Sequence, residues 1–355
     1  MACGINYSDL INEDGRPRRV YSAAILQDVK KAFSPGGLGI LVIRELPGAT
    51  ESLRRQVCEQ ACTLPARDEL YGRHGLGSDT VEGGGVTSAT LAVKWEAGDS
   101  PGFSPPASDV AGGSSTLRNG VHSLGVVWAT VCEAVAQVCD TWLGLEEGGG
   151  LAQALRVAGE AKARLVGYRG SAPPTSPLWQ EWHKDYGLFT AISAPSYFTC
   201  ALPPSQETMM IPALPPLTGV GLHVMRPGTG EMVHVPLPPG CLGVQVGEAA
   251  QILSGGKLAA VPHCVKREGG EEGLCRATFV VFCQPPYTAP LLPLIDDARA
   301  VLAAEDPMWG DTLKGVLPPL SHRWPGTVKG KVCDFNAFGK ATVKQYFGKG
   351  GAQRK

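Results

Sequence analysis

The sequence predicts a mainly β protein, a sandwich, jelly roll or barrel core with helices before and after it. From Ala161 onward the apolar residues recur at a period near two. They fall in the runs ARLVGYR, GLFTAI, SYFTCA, GVGLHVM, MVHVPL, CLGVQVG, KLAAVPHCV and CRATFVVFCQ, separated by Pro and Gly clusters. Before Ala161, and again beyond Pro293, apolar residues return at helical spacing.

The elements follow in order. Ser22 stands as an N-cap ahead of Ile25, Val29 and Phe33, which share one face of a helix over Ser22–Phe33. The run GGLGILVIREL reads as a β-branched strand opened by glycines, and Glu51 through Cys62 as a second helix. Between Gly75 and Gly120, Gly, Ser, Pro and Thr surround the short run TLAVKW, so loops are expected to dominate there and to offer a lid. Lys94 and Trp95 could touch substrate from that segment, but a strand edge with a lysine reaching for water is the simpler reading. His74 lies in the same loops. Val127, Trp128, Val131, Val135, Val138 and Trp142 recur at three and four between His122 and Leu143, marking a long helix with a buried face. After the strands, LIDDARAVLAAE and FNAFGKATVKQYF carry helical patterns. Three regions result: 1–160 packing on the barrel, 161–290 forming the core, and 291–355 supplying helices and a basic tail.

Composition narrows the partners. The chain has 355 residues, 43% hydrophobic and 18% charged, enough apolar material for one elaborated core. A formal net charge of -1 provides no overall field for nucleic acid or an anionic membrane. The N-terminus lacks the apolar core of a secretory signal, and no window is read as approaching the roughly twenty apolar residues of a membrane span. The eleven cysteines are scattered without a CxxC pair, which suits buried free thiols in a reducing compartment. A soluble, cytoplasmic protein is expected, a monomer by preference, acting on a small molecule. From Arg323 to Lys355 eight basic residues stand against one acidic, interleaved with aromatics at helical spacing. That pattern fits a helix docked on the barrel with its basic face in water better than a nucleic-acid surface.

The chemistry rests on a few polar residues in apolar strands. His183 and Asp185 sit two apart at the mouth of a strand, so alternation turns both to one side and Lys184 to the other. An imidazole beside a hard carboxylate is two-thirds of the facial triad that holds iron(II) and leaves coordination positions open. His263 in AAVPHCV, on a later strand, is the best third ligand. A His-X-Asp triplet alone is a weak motif. Arg276 and Thr278 in CRATFVVF add context. They share a strand face, a buried guanidinium is costly without an anion, and a planar fork beside a hydroxyl suits the remote carboxylate of a small dicarboxylic acid. His223 and His234 could also ligate metal, though satisfied or solvent-facing histidines are the better reading.

The ordered parts resemble one family. HKDYGLFTAI, GVGLHVM, PPGCLGVQVGEAAQILSGGKLAAVPHCV and RATFVVFCQPP are similar, in that order, to blocks of the 2-oxoglutarate and iron(II)-dependent dioxygenases related to isopenicillin N synthase. The earlier KKAFSPGGLGILVIRELPG resembles that family's N-terminal segment. The resemblance implies a double-stranded β-helix (jelly-roll) core, with His183, Asp185 and His263 as Fe(II) ligands. It implies that Arg276 and Thr278 hold the remote carboxylate of 2-oxoglutarate, and that Tyr168 adds its hydroxyl there. It also implies use of O2, release of succinate and CO2, and hydroxylation or desaturation rather than halogenation, since Asp185 fills the position that halogenases leave open. Lys184 departs from the family's small residue, and the stretch from Asp185 to His263 is lengthened around Met209–Pro216. Two other readings remain: a catalytically retired binding or regulatory protein of the same fold, and an Fe(II) oxidase that dispenses with the keto acid.

Overall fold

The computed structural model describes residues 2–63, 77–78, 86–101, 115–145, 149–169, 177–200, 210–212, 219–267, 274–295, 301–302, 313, 316–325, 327–328 and 331–347. The N-terminal part comprises β1 (Cys3–Asn6), α1 (Tyr7–Leu10), α2 (Ala23–Phe33), β2 (Ile40–Arg44), α3 (Gly48–Thr63), β3 (Gly77–Ser78), β4 (Val86–Lys94), α4 (Ser115–Leu143), α5 (Leu151–Ala158) and β5 (Glu160–Arg169). Then come β6 (Leu178–His183), β7 (Phe189–Ser193), β8 (Ser196–Cys200), β9 (Met210–Pro212), β10 (Gly221–Met225), β11 (Met232–His234), β12 (Leu242–Val246), α6 (Glu248–Leu253), β13 (His263–Lys266) and β14 (Leu274–Cys283). The chain closes with α7 (Leu320–Arg323), β15 (Thr327–Val328), β16 (Lys331–Val332) and α8 (Phe335–Phe347).

Two sheets face each other. The larger runs β1-β2-β12-β7-β14-β5-β4-β3, with β8 added to β14 and β9 to β8; the smaller runs β11-β10-β13-β6. From β6 onward the chain crosses repeatedly from one sheet to the other, which is the jelly-roll path expected from the run of short strands. Alternation along β14 shows how the layers form. Phe279 and Val281 pack with Val29, Phe33, Trp128 and Val131 of the helices, whereas Val280 points between the sheets to meet Ile192, Leu222 and Val224. The helices thus cover the outer face of the larger sheet, and the space between the sheets is left for the site.

Expected elements are present at α2, β2, α3, α4 and α8. Ser22 caps α2 through its side chain, accepting from the Ile25 N–H at 3.4 Å. Three expectations need correction. The segment around TLAVKW is no short run: β4 spans nine residues and pairs with β5 along its whole length, because its small polar residues lie in a strand flanked on both sides. Most of the remaining proposed lid, like His74, lies outside the described residues. Residues Asn119–Leu143 of α4 are, by length and composition, apolar enough to cross a membrane, contrary to the sequence reading; 72% of that apolar window is buried inside the protein. Finally, Cys275 is disulfide-bonded, so the expectation of free thiols fails there, while Cys58, Cys132, Cys139, Cys241, Cys264 and Cys283 are buried and free.

Candidate metal centre

β6 ends at His183 and β13 begins at His263, and the antiparallel ladder sets these two residues opposite each other. Opposed residues of an antiparallel pair project to the same side. Their ring centroids are 4.2 Å apart. The β6–β13 register shifts just beyond this pair, an irregularity of the kind that re-aims side chains beside active sites. Asp185 follows two residues after His183 and completes the group: its Oδ1 lies 3.9 Å from His183 Nε2 and its Oδ2 3.8 Å from His263 Nε2. Among the described residues this is the group of three His, Cys, Asp or Glu donors within 4.8 Å of one another that could hold a metal ion.

The residues fit a divalent cation. His183 Nδ1 lies 2.7 Å from the Glu181 carbonyl and His263 Nδ1 3.4 Å from that of Val261, contacts that suit the tautomer with its proton on Nδ1, in which each Nε2 lone pair is free. Burial, and next the neighbouring His183, push the His263 imidazole down to about 4, so it is a neutral donor at pH 7. Asp185 Oδ2 is buried without a hydrogen-bond partner, a costly state that a cation removes. Two metal bonds of about 2.1 Å meeting at 90–110° put donors roughly 3.0–3.4 Å apart, so the two carboxylate–imidazole spacings need to close by less than about 1 Å.

The loop carrying Asp185 is fixed from behind by α6. The N–H groups of Gly247, Glu248 and Ala249 donate to the carbonyls of Leu188, Asp185 and Gly187 at 2.8, 2.8 and 3.0 Å. A helix start has unsatisfied donors, and here the metal-site loop supplies the acceptors. The approach is so close that a Cβ on Gly247 would stand 2.2 Å from the Gly187 carbonyl oxygen. Gly247→Ala is therefore expected to destabilise the protein by about 1–3 kcal/mol, read as a lower urea midpoint at unchanged m-value. An unchanged midpoint would show that the loop yields freely.

Arg276 lies on β14 opposite Tyr168 of β5, with only 3% of its surface exposed. Its Nε and Nη1 are buried without hydrogen-bond partners, and its guanidinium sits 5.3 Å from the Tyr168 ring centroid. Tyr168 in turn packs on Trp179 of β6 at 5.5 Å, joining the two sheets beside the arginine. The structure therefore sets the Tyr168 ring beside Arg276. Thr278 shares that face, but its hydroxyl donates to the Ser193 carbonyl at 3.1 Å. The reason is a gap in the ladder: β14 pairs with β7 at Val280–Cys283 and with β8 at Leu274–Ala277, and Thr278 takes up a carbonyl at the break. In this arrangement its single proton is committed, and towards a carboxylate it offers nothing unless the hydroxyl turns.

Other candidates fall outside the centre. His223 and His234 are a cross-strand pair, each bonded through a ring nitrogen to a backbone carbonyl, of Gly221 at 3.0 Å and of Val220 at 3.1 Å. Trp95 packs in the helix-side core and donates to the Arg156 carbonyl. Phe335 and Phe338 are buried, so α8 docks as expected, with Lys340 and Lys344 exposed. Missed by sequence reasoning are Thr190 and Gln245, cross-strand partners whose Oγ1 and Oε1 are buried and unpartnered. Their neighbours Phe189, Ala191, Val244 and Val246 pack with the helices, so these two face between the sheets. The available signal was a polar residue inside each of the apolar runs FTAI and LGVQV.

Residues 202–285 match the family model of the 2OG-Fe(II) oxygenase superfamily. Over that segment the chain is similar to the superfamily. Over 93 residues it is 34% identical to feruloyl CoA ortho-hydroxylase 2 of Arabidopsis thaliana and, over the same length, 31% identical to feruloyl CoA ortho-hydroxylase 1. Each match covers 26% of this chain and 24% of the relative, so the chain matches about a quarter of those relatives' length. The whole fold is similar to the dioxygenase for auxin oxidation in rice, with a TM-score of 0.61 and 16% identity over 97% of this chain and 96% of that one. It is also similar to dioxygenase for auxin oxidation 1 from Arabidopsis thaliana bound to 2-oxoglutarate, at TM-score 0.57 and 16% identity over 84% and 99%. The fold is thus shared with these two solved dioxygenase structures.

Proposed function

We propose that this chain is an Fe(II)- and 2-oxoglutarate-dependent dioxygenase acting on a small organic molecule. The observation that carries the reading is the convergence of His183, Asp185 and His263, with a buried Asp185 oxygen that has no partner. In this reading the two Nε2 atoms and the Asp185 carboxylate would hold iron. Arg276 takes the remote carboxylate of the keto acid through its unpartnered nitrogens, and the Tyr168 ring fixes the plane of that fork. When bound, iron with 2-oxoglutarate and O2 supplies the oxidation and releases succinate and CO2. The protein keeps the site dry with Val166, Trp179, Val220 and Val265, a buried cluster around Tyr168. The hydroxylase names of the curated relatives support hydroxylation over desaturation.

Anaerobic addition of Fe(II) and then 2-oxoglutarate tests this directly. A visible charge-transfer band that forms only with both present is expected, together with succinate formation stimulated by the right substrate among screened metabolites. Iron binding without the band would favour an oxidase that does not use the keto acid, and no iron binding a retired binding protein.

A further inference from the structure

The stretch that carries Asp185 is gripped at three successive residues by elements outside the barrel. The Lys184 N–H donates to the Tyr346 hydroxyl of α8 at 3.3 Å. The Asp185 carbonyl accepts from the Glu248 N–H of α6 at 2.8 Å. The Tyr186 ring stacks on Phe335 of α8, centroids 5.8 Å apart and planes 28° from parallel, and Gly339 lets the helix approach closely enough for an added Cβ to meet that ring at 3.4 Å.

These grips share one buried hub. Glu248 is 0% exposed, and its carboxylate takes two bonds from Arg323 of α7, at 2.5 and 2.6 Å. The Arg323 guanidinium also donates to Thr342 Oγ1 of α8 at 3.1 Å and lies 5.6 Å from the Phe338 ring and 5.8 Å from the Tyr346 ring. A buried ion pair is a poor stabiliser compared with packed apolar groups, so one held this far from water is better understood as fixing a particular arrangement. What it fixes here is the residue whose own backbone N–H holds Asp185, and the helix whose hydroxyl holds Lys184.

We propose that the Arg323–Glu248 pair and the Tyr346 hydroxyl are positioning residues for the Asp185 carboxylate, which makes the C-terminal helix a working part of the metal centre. The inference rests on the metal-centre reading above and extends it to residues that touch neither metal nor substrate. Groups that orient a metal ligand typically change metal affinity 10–100-fold when altered.

The test uses the full chain, Co(II) as the probe, and three variants: Tyr346→Phe, Arg323→Lys, and Glu133→Gln as a control at a buried carboxylate paired with the half-buried Arg156 between α4 and α5. Titration calorimetry reads affinity, the Co(II) visible spectrum reads ligand geometry, and thermal unfolding of the metal-free protein reads stability. Tyr346→Phe and Arg323→Lys are expected to weaken Co(II) binding by about tenfold and to alter its visible bands, while Glu133→Gln lowers the melting temperature with neither change. Wild-type affinity and spectrum in both test variants would overturn the proposal and leave the metal centre standing. A wild-type chain that binds no Co(II) would overturn both. Should Arg323→Lys not fold, Tyr346→Phe, which deletes a single hydroxyl, decides alone.

Discussion

Asp185→Ala is expected to abolish turnover and to weaken Fe(II) or Co(II) binding by well over about 100-fold, beyond the range typical for groups that merely support a ligand. Two of the donor contacts in the centre, at 3.8 and 3.9 Å, converge on this one carboxylate, and its charge is what distinguishes the site from a pair of neutral imidazoles. The same substitution should not harm the metal-free fold. Its Oδ2 is buried and unpartnered, a state that costs about 1–3 kcal/mol, so the melting temperature of the metal-free variant is expected at or above that of the wild type. Metal should raise the melting temperature of the wild type only. A variant that still binds metal tightly, or that unfolds well below the metal-free wild type, would remove Asp185 from the centre of the account.

Arg276→Met is the second large effect. Truncating one partner of a buried charge pair costs about 2–5 kcal/mol, so 2-oxoglutarate affinity should fall at least about 30-fold, while metal affinity measured without the keto acid stays near wild type. Methionine keeps much of the apolar contact with Tyr168 and removes only the fork. Calorimetric titration of 2-oxoglutarate into the metal-loaded variant reads the difference. An equal loss of both affinities would mean that Arg276 supports the metal centre rather than the cosubstrate.

Much of the site is legible in the sequence because its signals are local. His183 ends its strand with Asp185 two residues on in the loop beyond, where the His-X-Asp spacing is the signal, and Arg276 interrupts a largely apolar strand, where alternation states which way it points. His263 is harder, since its place opposite His183 is a matter of ladder register across eighty residues, and the family resemblance supplied what spacing could not. β4 is hidden by its small polar residues, which carry no alternation even though the strand is paired on both flanks. For Thr278, sharing a face with Arg276 does not say that the ladder breaks at Ser193, whose carbonyl its hydroxyl meets. Nothing in the neighbourhood of Glu248 announces Arg323, because the two are joined only by the return of the chain after the barrel.

The two halves of the candidate site belong to different walls. His183 and His263 stand on the smaller sheet, Arg276 on the larger, and the aromatic contact of Tyr168 with Trp179 spans the seam. In the proposed reading, a dicarboxylate held at one end through iron and at the other by the guanidinium would act as a rivet through the sandwich. Binding there would fasten the two layers to each other, so that occupancy and rigidity would rise together.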